Sequence, residues 1–195
     1  MLMYIVIDGV HGIGKTTICK ELSKKTEFKY IPEIRDKLLP PPVLGPNSSN
    51  ILKSQLWFLR QAILKDQKIR SSSGIVISDR GPISVLLYSK HLLSDYDFEI
   101  LKTLYNSLNL KEPDMEIILW APEDIISKRI DGRARESKKE WSENDLNYLK
   151  KINSEFEEYY KGFKDINPIY LVDASGTIGE TCKKIENIIR NNFNI

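Results

Sequence analysis

Five short apolar segments stand out along the chain against a background of polar and charged residues. They are Met3–Asp8, Phe28–Ile31, Gly74–Ser78, Met115–Trp120 and Ile169–Val172, and they are rich in Val, Ile and Tyr. These segments lack the alternation of apolar and polar residues that marks a half-exposed strand, so they are typical of strands buried on both faces. We therefore predict five strands of one parallel sheet.

Segments with helical periodicity lie between these strands. We predict helices over Lys15–Lys24, Asn50–Arg70, Ile83–Leu93, Asp97–Leu108, Pro122–Ile130, Ser142–Tyr160 and Thr177–Asn192. The second of them carries apolar residues close to a helical period, at Leu52, Leu56, Leu59, Ile63 and Ile69. The spacing of Thr177 and Glu180 predicts a capping box at the start of the last helix, and Ser142 with Asp145 indicates a similar start for the helix before it.

Strands that alternate with helices indicate an α/β fold, in which helices cover both faces of a parallel sheet and the crossovers are right-handed. The 195 residues contain no internal repeat or linker, so we expect a single domain over residues 1–195. The proline-rich segment Pro40–Asn47 suits neither a helix nor a central strand. It is either a stiff connection or the rim of a substrate cleft.

The composition excludes several classes of protein. Hydrophobic residues make up 41% of the chain and charged residues 29%, as in ordinary globular proteins. A net charge of +2 gives no overall attraction to nucleic acid or to anionic membranes. The two cysteines, Cys19 and Cys182, form neither a disulfide framework nor a zinc motif. No secretory leader or membrane-spanning segment is recognisable. We expect a cytoplasmic protein that binds neither nucleic acid nor membrane.

The segment Gly9–Thr16 reads G-x-x-x-x-G-K-T and stands between a predicted strand and a predicted helix. In such a loop, successive backbone N–H groups and the positive end of the helix converge on a phosphate. The Lys15 ammonium would reach the β- and γ-phosphates, and the Thr16 hydroxyl would bind Mg²⁺. We expect the phosphates of ATP to bind Gly9, Val10, His11, Gly12, Ile13, Gly14, Lys15, Thr16 and Thr17.

Charged residues follow the second and third predicted strands. Asp79 and Arg80 end the sequence VISDRG, and Glu33 and Arg35 follow the second strand. The carboxyl ends of parallel strands share one edge of the sheet, where ligands bind. Asp79 would hold Mg²⁺, Arg80 would hold a second phosphate, and Glu33 would accept a proton from a hydroxyl group or position a metal or sugar. The alternative is a strand-end ion pair.

The segment Ser127–Lys139 is rich in basic residues, among them Arg129, Arg133 and Arg135, and Gly132 marks a hinge within it. Arginines supplied by the same chain stabilise a phosphoryl group during transfer, and a hinged segment suits a closing lid. We therefore predict a lid over about residues 127–141. The alternatives are a solvated basic face and a nucleic-acid patch, but the latter lacks interleaved aromatic residues.

Together these segments resemble the thymidylate kinase-like branch of the P-loop nucleoside and nucleotide kinases. The matching sequences are IDGVHGIGKTT, VISDRG, KRIDGRARES and IYLVDASGTIGE. The resemblance implies a three-layer P-loop fold with strand order 2-3-1-4-5. It further implies ATP with Mg²⁺ and transfer of the γ-phosphoryl group to a small nucleotide or nucleoside. By this resemblance Asp79 and Arg80 lie beside the acceptor and the metal, and the arginines lie in the lid.

The resemblance makes a nucleoside monophosphate the expected acceptor, dTMP foremost, with contacts to Asp8, Glu33, Arg35, Phe58 and Arg80. Phe58 corresponds to the Phe that stacks on thymine in thymidylate kinases. Two alternatives stay open. One is a deoxynucleoside kinase that uses Glu33 as the base for a sugar hydroxyl. The other is a nucleotide-binding regulatory module without small-molecule transfer. A homodimer is left open as the assembly.

Overall fold

The computed structural model describes residues 2–34, 38–39, 41–43, 45–46, 48–132 and 145–193. Its strands are β1 (Leu2–Asp8), β2 (Lys29–Ile31), β3 (Gly74–Asp79), β4 (Met115–Trp120) and β5 (Ile169–Asp173). Its helices are α1 (Lys15–Lys25), α2 (Ile51–Arg70), α3 (Ser84–Ser89), α4 (Asp95–Ser107), α5 (Glu123–Asp131), α6 (Leu146–Phe163) and α7 (Ile178–Phe193). All five predicted strands are confirmed.

The five strands form one sheet in the order β2-β3-β1-β4-β5, and every pairing is parallel. This confirms the strand order implied by the resemblance. The central strand β1 is buried along most of its length, from Tyr4 to Asp8. The prediction that every strand is buried on both faces is wrong for β2 and β5, whose residues are partly exposed because they form the edges of the sheet.

Helices cover both faces of this sheet, as the strand β1 shows. Ile5 and Ile7 belong to a cluster with Ile18 of α1, whereas Tyr4 and Val6 belong to a second cluster with Ile69 of α2. Alternate residues of a strand point to opposite faces, so the two clusters lie on opposite sides of the sheet. The molecule therefore has the three layers expected of a P-loop fold.

Two predicted helices differ from the observed ones by more than two residues at an end. The α3 helix ends at Ser89, before the predicted Leu93, and the next two residues, Lys90 and His91, both bond Glu155 of α6 at 2.6 and 2.8 Å. The α6 helix begins at Leu146, because Asp145 is its N-cap and accepts from the Tyr148 N–H at 3.0 Å. Ser142, predicted to start this helix, lies outside the described residues.

The last helix begins with the predicted capping box. The Thr177 N–H donates to Glu180 Oε2 at 2.9 Å, and the Glu180 N–H donates to Thr177 Oγ1 at 3.3 Å. This confirms that the T-x-x-E spacing marks a helix start. Among the residues that the structure describes, no helix is both long enough and apolar enough to cross a membrane.

Candidate active site

A glycine-rich loop, the phosphate loop (Gly9–Thr16), connects β1 to α1. Gly12 has φ +83°, and a Cβ atom there would lie 2.5 Å from a side-chain carbon of Ile130 in α5. Gly9 has φ +130°, and its Cβ would lie 2.6 Å from the Leu119 carbonyl oxygen. Only glycine adopts such angles without strain and fits so close to a neighbouring segment. The loop is therefore held against the end of β4 and the start of the predicted lid.

Lys15 is buried within this loop. Its Nζ donates to the carbonyl oxygens of Gly9 at 2.8 Å and of Val10 at 2.9 Å. Burial lowers the pKa of Lys15 to about 7, and the nearby charge of Arg80 acts in the same direction. An opposite charge nearby favours the protonated form of an amine, so a phosphate bound in the loop would raise this pKa. The ammonium group of Lys15 therefore lies inside the loop that we expect to bind phosphate.

The carboxylate of Asp79 lies at the end of β3 beside the phosphate loop. Its Oδ2 accepts from the Thr16 hydroxyl at 2.6 Å and from the Tyr30 hydroxyl at 2.9 Å, and its Oδ1 accepts from the Glu33 N–H at 2.9 Å. Burial raises the pKa of Asp79, but the charge of Lys65 and these hydroxyl groups outweigh it and hold the pKa below its ordinary value. Asp79 is therefore an ionised acceptor.

The predicted metal ligands Thr16 and Asp79 are brought together by this arrangement. Mg²⁺ takes oxygen ligands and is bound in kinases by one or two protein groups together with substrate phosphates. The described residues contain no group of three or more His, Cys, Asp or Glu side chains that could hold a metal by themselves. The pair of oxygen donors fits Mg²⁺ carried in with a nucleotide.

Asp8 joins the phosphate loop to the Asp-Arg turn (Asp79–Gly81). Its carboxylate accepts from the N–H groups of Gly9 and Gly81, both at 2.8 Å, and from the hydroxyl of Ser84. Three protein donors thus bond a side chain that we predicted to contact the substrate. In this structure Asp8 positions the two loops relative to each other.

The guanidinium group of Arg80 lies over the ring of Tyr88, 5.0 Å from its centroid, and 5.8 Å from the centroid of Phe58. Its Nε is 3.5 Å from Glu33 Oε1. Burial lowers the pKa of Arg80, but Glu33 and the other nearby acidic groups outweigh it, and the pKa lies above its ordinary value. Arg80, Glu33 and Phe58, three residues that we predicted from separate segments, therefore meet at one place.

A cleft with about 920 Å³ of open space, solvent included, lies between α2, α3 and the ends of β1 and β3. Its lining includes His11, Glu33, Gln55, Phe58, Arg80 and Tyr148. The His11 ring is stacked on Tyr148 with centroids 5.8 Å apart and an interplanar angle of 22°. The cleft combines aromatic walls with a few polar groups, as sites for small molecules do.

One described residue of the proline-rich segment Pro40–Asn47 lies at this cleft. Gly45 is among the lining residues, and the Trp57 Nε1 of α2 donates to the carbonyl oxygen of Leu39 at 2.9 Å. Of the two interpretations of this segment, the structure favours a cleft rim.

Arg129 contacts the phosphate loop and is not among the residues that line the cleft. Its guanidinium group donates to the carbonyl oxygens of Ile13 at 2.9 Å, Ala174 at 2.7 Å and Gly176 at 3.2 Å. It thereby connects the phosphate loop to the loop between β5 and α7, the DASGT segment. The predicted site residues Arg35, Arg133 and Arg135, and the lid beyond residue 132, lie outside the described residues.

A family model described as "Deoxynucleoside kinase" matches residues 5–194. The chain belongs to the deoxynucleoside kinase family. It is accordingly a nucleoside or nucleotide kinase, a phosphotransferase, as predicted.

Several characterised proteins resemble this kinase along most of its length. A thymidylate kinase of Campylobacter curvus is 30% identical over 96% of this chain and 100% of its own. A deoxyguanosine kinase of Bacillus subtilis is 27% identical over 85% of this chain and 82% of its own. A structure of deoxyadenosine kinase from M. mycoides, with dCMP and dCDP bound, superposes with a TM-score of 0.81 at 23% identity, covering 97% of this chain and 100% of the other. This last likeness supports the fold.

Tyr30, Gln55 and Lys65 are among the residues in or beside the cleft that sequence reasoning missed. Gln55 and Lys65 are buried residues of α2. The predicted apolar stripe included the buried Leu59 and Ile69, but also Leu56, which is exposed. The available signal was the four-residue spacing of Trp57, Gln61, Lys65 and Ile69, which mixes polar and apolar residues on one buried face. Such a face lines a polar cleft.

Proposed function

We propose that this kinase transfers the γ-phosphoryl group of ATP to a sugar hydroxyl of a deoxynucleoside, with Glu33 as the general base. The observation that carries the proposal is the position of Glu33. Its carboxylate lines the cleft, its side chain is 25% exposed, and Arg80 Nε lies 3.5 Å away. A proton acceptor must reach the acceptor hydroxyl, and Glu33 has both the access and a partner that orients it.

Asp79, the neighbouring carboxylate, is poorly suited to the role of base. Its two oxygens accept three hydrogen bonds, from Thr16, Tyr30 and the Glu33 N–H. The charge of Lys65 and the hydroxyl groups hold its pKa below the ordinary value despite burial, so it is a weak proton acceptor. We therefore assign metal binding to Asp79 and the role of general base to Glu33.

On the donor side, Lys15 and the backbone of the phosphate loop hold the ATP phosphates. Thr16 and Asp79 would hold Mg²⁺, which when bound neutralises charge on the β- and γ-phosphates. Arg80 stabilises charge that develops at the acceptor oxygen and keeps Glu33 oriented. We retain the expectation that Arg133 and Arg135 close over the transferring group.

On the acceptor side, the cleft offers aromatic faces and side-chain amides. Phe58, Tyr88 and Tyr148 provide flat apolar surfaces, and Gln55 and Gln61 provide donors and acceptors for the edge of a base. This combination suits a planar nucleobase attached to a small sugar. The match of the deoxynucleoside kinase family model to residues 5–194 supports the same acceptor class.

A thymidylate kinase is the second candidate. It is favoured by the Campylobacter curvus thymidylate kinase, which this chain resembles at 30% identity over nearly its whole length. In this case Arg80 would hold the acceptor phosphate, and Glu33 would not act as a base, because a phosphate oxygen is already ionised. The role of Glu33 therefore separates the two candidates.

The test is an ADP-release assay with Mg-ATP and a panel of the four deoxynucleosides and dTMP, followed by identification of the products. For the deoxynucleoside that turns over best, Glu33→Gln should lower kcat by about two to four orders of magnitude, because it removes the base and keeps the side-chain shape. ATP affinity should stay unchanged. Glu99→Gln, an exposed site on α4, is the matched control and should keep wild-type activity.

Turnover of dTMP alone, with no turnover of any deoxynucleoside, would refute the proposed acceptor class and favour the second candidate. A Glu33→Gln variant that phosphorylates a deoxynucleoside at nearly the wild-type rate would instead remove Glu33 from the role of base. ATP binding without ADP release for any acceptor would favour the regulatory module.

A further inference from the structure

The buried face of α2 carries a lysine, Lys65, whose ammonium group contacts the backbone of the active site. Its Nζ donates to the carbonyl oxygen of Asp79 at 2.5 Å and to that of Arg80 at 2.9 Å. The residue is only 6% exposed. Burying an ammonium group is costly unless its hydrogen atoms find acceptors, so two backbone carbonyls form a specific site for this side chain.

We propose that Lys65 is a positioning residue that holds the Asp-Arg turn in the conformation required for phosphoryl transfer. This inference rests on the kinase activity and on Asp79 and Arg80 acting in it, but it holds for either class of acceptor.

The backbone of the Asp-Arg turn is strained at the residue that Lys65 contacts. Arg80 has φ +62°, in the left-handed region, and is one of two non-glycine residues with positive φ in the described part of the chain. A residue with a Cβ atom adopts this conformation at a cost in free energy, so surrounding contacts must fix it. Lys65 bonds the carbonyl oxygens of Asp79 and Arg80, which are the carbonyl groups on either side of the Arg80 Cα atom.

The turn is held by hydrogen bonds to two elements, β1 and α2. On the side of β1, the Arg80 N–H donates to the Ile7 carbonyl oxygen at 3.1 Å, and the Gly81 N–H donates to Asp8 Oδ2 at 2.8 Å. On the side of α2, Lys65 bonds the two carbonyl oxygens. The backbone N–H groups of the turn therefore donate to residues of β1, and its carbonyl oxygens accept from the single ammonium group of Lys65.

Two functional side chains depend on this backbone geometry. The Asp79 carboxylate bonds Thr16 of the phosphate loop at 2.6 Å, and the Arg80 guanidinium faces Glu33 at 3.5 Å. A rotation of the peptide group between Asp79 and Arg80 would displace both, one on the donor side and one on the acceptor side. Small displacements of groups that position reactants cost large factors in rate. Lys65 acts through these two residues.

The first experiment compares Lys65→Met with the wild type in steady-state kinetics on the best acceptor. Methionine keeps most of the length of the unbranched side chain and removes the donors, so kcat should fall by about a hundredfold. The Kd for ATP should change less than about threefold, because the phosphate loop itself is unaltered. Lys68→Met, at an exposed position one turn further along α2, is the matched control and should keep the wild-type kcat.

A second variant separates positioning from folding. Lys65→Gln retains an N–H donor, so its kcat should lie between those of Lys65→Met and the wild type, with melting temperatures recorded for each protein. If Lys65→Met does not fold, the kcat and the ATP affinity of Lys65→Gln are compared with those of the wild type instead. A fall in kcat that Lys65→Gln partly restores, at unchanged ATP affinity, supports the proposal.

Two results would overturn it. One is a folded Lys65→Met or Lys65→Gln variant with the wild-type kcat. The other is a loss of ATP affinity in proportion to kcat, which would indicate general disruption. A wild-type protein that phosphorylates only dTMP would defeat the proposed deoxynucleoside acceptor and leave the Lys65 comparison intact, since the same variants are then assayed with dTMP.

Discussion

Replacing Glu116 with Gln should stabilise the protein at alkaline pH and leave its stability at acid pH almost unchanged. Glu116 lies in β4 and is only 8% exposed. Its Oε1 accepts a long hydrogen bond of 3.4 Å from the Tyr159 hydroxyl, whereas Oε2 is buried and has no hydrogen-bond partner among the described residues. Burial raises the pKa of Glu116 from 4.5 to about 7, and the charges of Asp8 and Glu112 act in the same direction.

The magnitude follows from this difference in pKa. The pKa of Glu116 is higher in the folded protein than in the unfolded chain, so protonated Glu116 favours the folded state. This contribution to the free energy of unfolding is complete below pH 4.5 and is lost as the pH rises through about 7. A difference of one pKa unit corresponds to about 1.4 kcal/mol, so ionised Glu116 lowers the free energy of unfolding by about 3 kcal/mol at pH 8. At pH 5 the loss is less than about 1 kcal/mol. Glutamine fills the same space without a charge.

The assay is urea denaturation of the wild type and Glu116→Gln at pH 5 and pH 8. We expect the stability gain of the variant to grow by about 2 kcal/mol between these two pH values. Glu158→Gln, at an exposed position beside Tyr159, is the matched control and should change stability by no more than about 0.5 kcal/mol at either pH. A gain that is equal at both pH values, or a net loss at pH 8, would refute the reasoning.

Two further changes test the geometry of the phosphate loop and of Asp79. Gly12→Ala should lower the free energy of unfolding by about 3 kcal/mol, because its Cβ would lie 2.5 Å from Ile130 at a φ of +83°. Gly179→Ala, whose Cβ would meet nothing within 4 Å, should not destabilise the protein, and an equal loss in both variants under urea denaturation would contradict the steric argument. Tyr30→Phe removes a hydrogen bond that lowers the pKa of Asp79, so the acid limb of the pH–kcat/KM profile should move to higher pH. A limb that stays in place would show that this hydroxyl group does not influence the reacting form.

The sequence predicts most of the fold, because the strands of a covered parallel sheet are continuous apolar runs. The segment Met115–Trp120 was predicted without error at either end. The start of α6 was harder to predict, because Ser142 and Asp145 offer two capping residues three positions apart, and only the folded backbone selects Asp145. The end of α3 depends on Glu155, which is distant in sequence and bonds both Lys90 and His91.

In the candidate site, too, features set by neighbouring residues could be predicted, whereas contacts between residues far apart in sequence could not. The phosphate loop was recognisable because glycines and a lysine at fixed spacing serve one purpose. Asp8 immediately precedes it, yet its hydrogen bonds to Gly81 and Ser84 bridge more than seventy positions of the chain. Lys65 looked like an ordinary helical lysine, since nothing in its neighbours reveals that its partners are carbonyl groups of the Asp-Arg turn. Contacts to a distant backbone leave no local pattern.

The two halves of the site differ in what fixes them. We expect donor binding to depend on the backbone of the phosphate loop, where Gly9 and Gly12 allow close packing against β4 and α5. The acceptor cleft depends instead on side chains of one helix face, among them Gln55 and Phe58 of α2. Because Lys65 bonds the backbone of the turn between the halves, we expect that the acceptor side can be altered at Gln55 without moving the reacting groups. A fold built in this way keeps phosphoryl transfer constant while the acceptor changes.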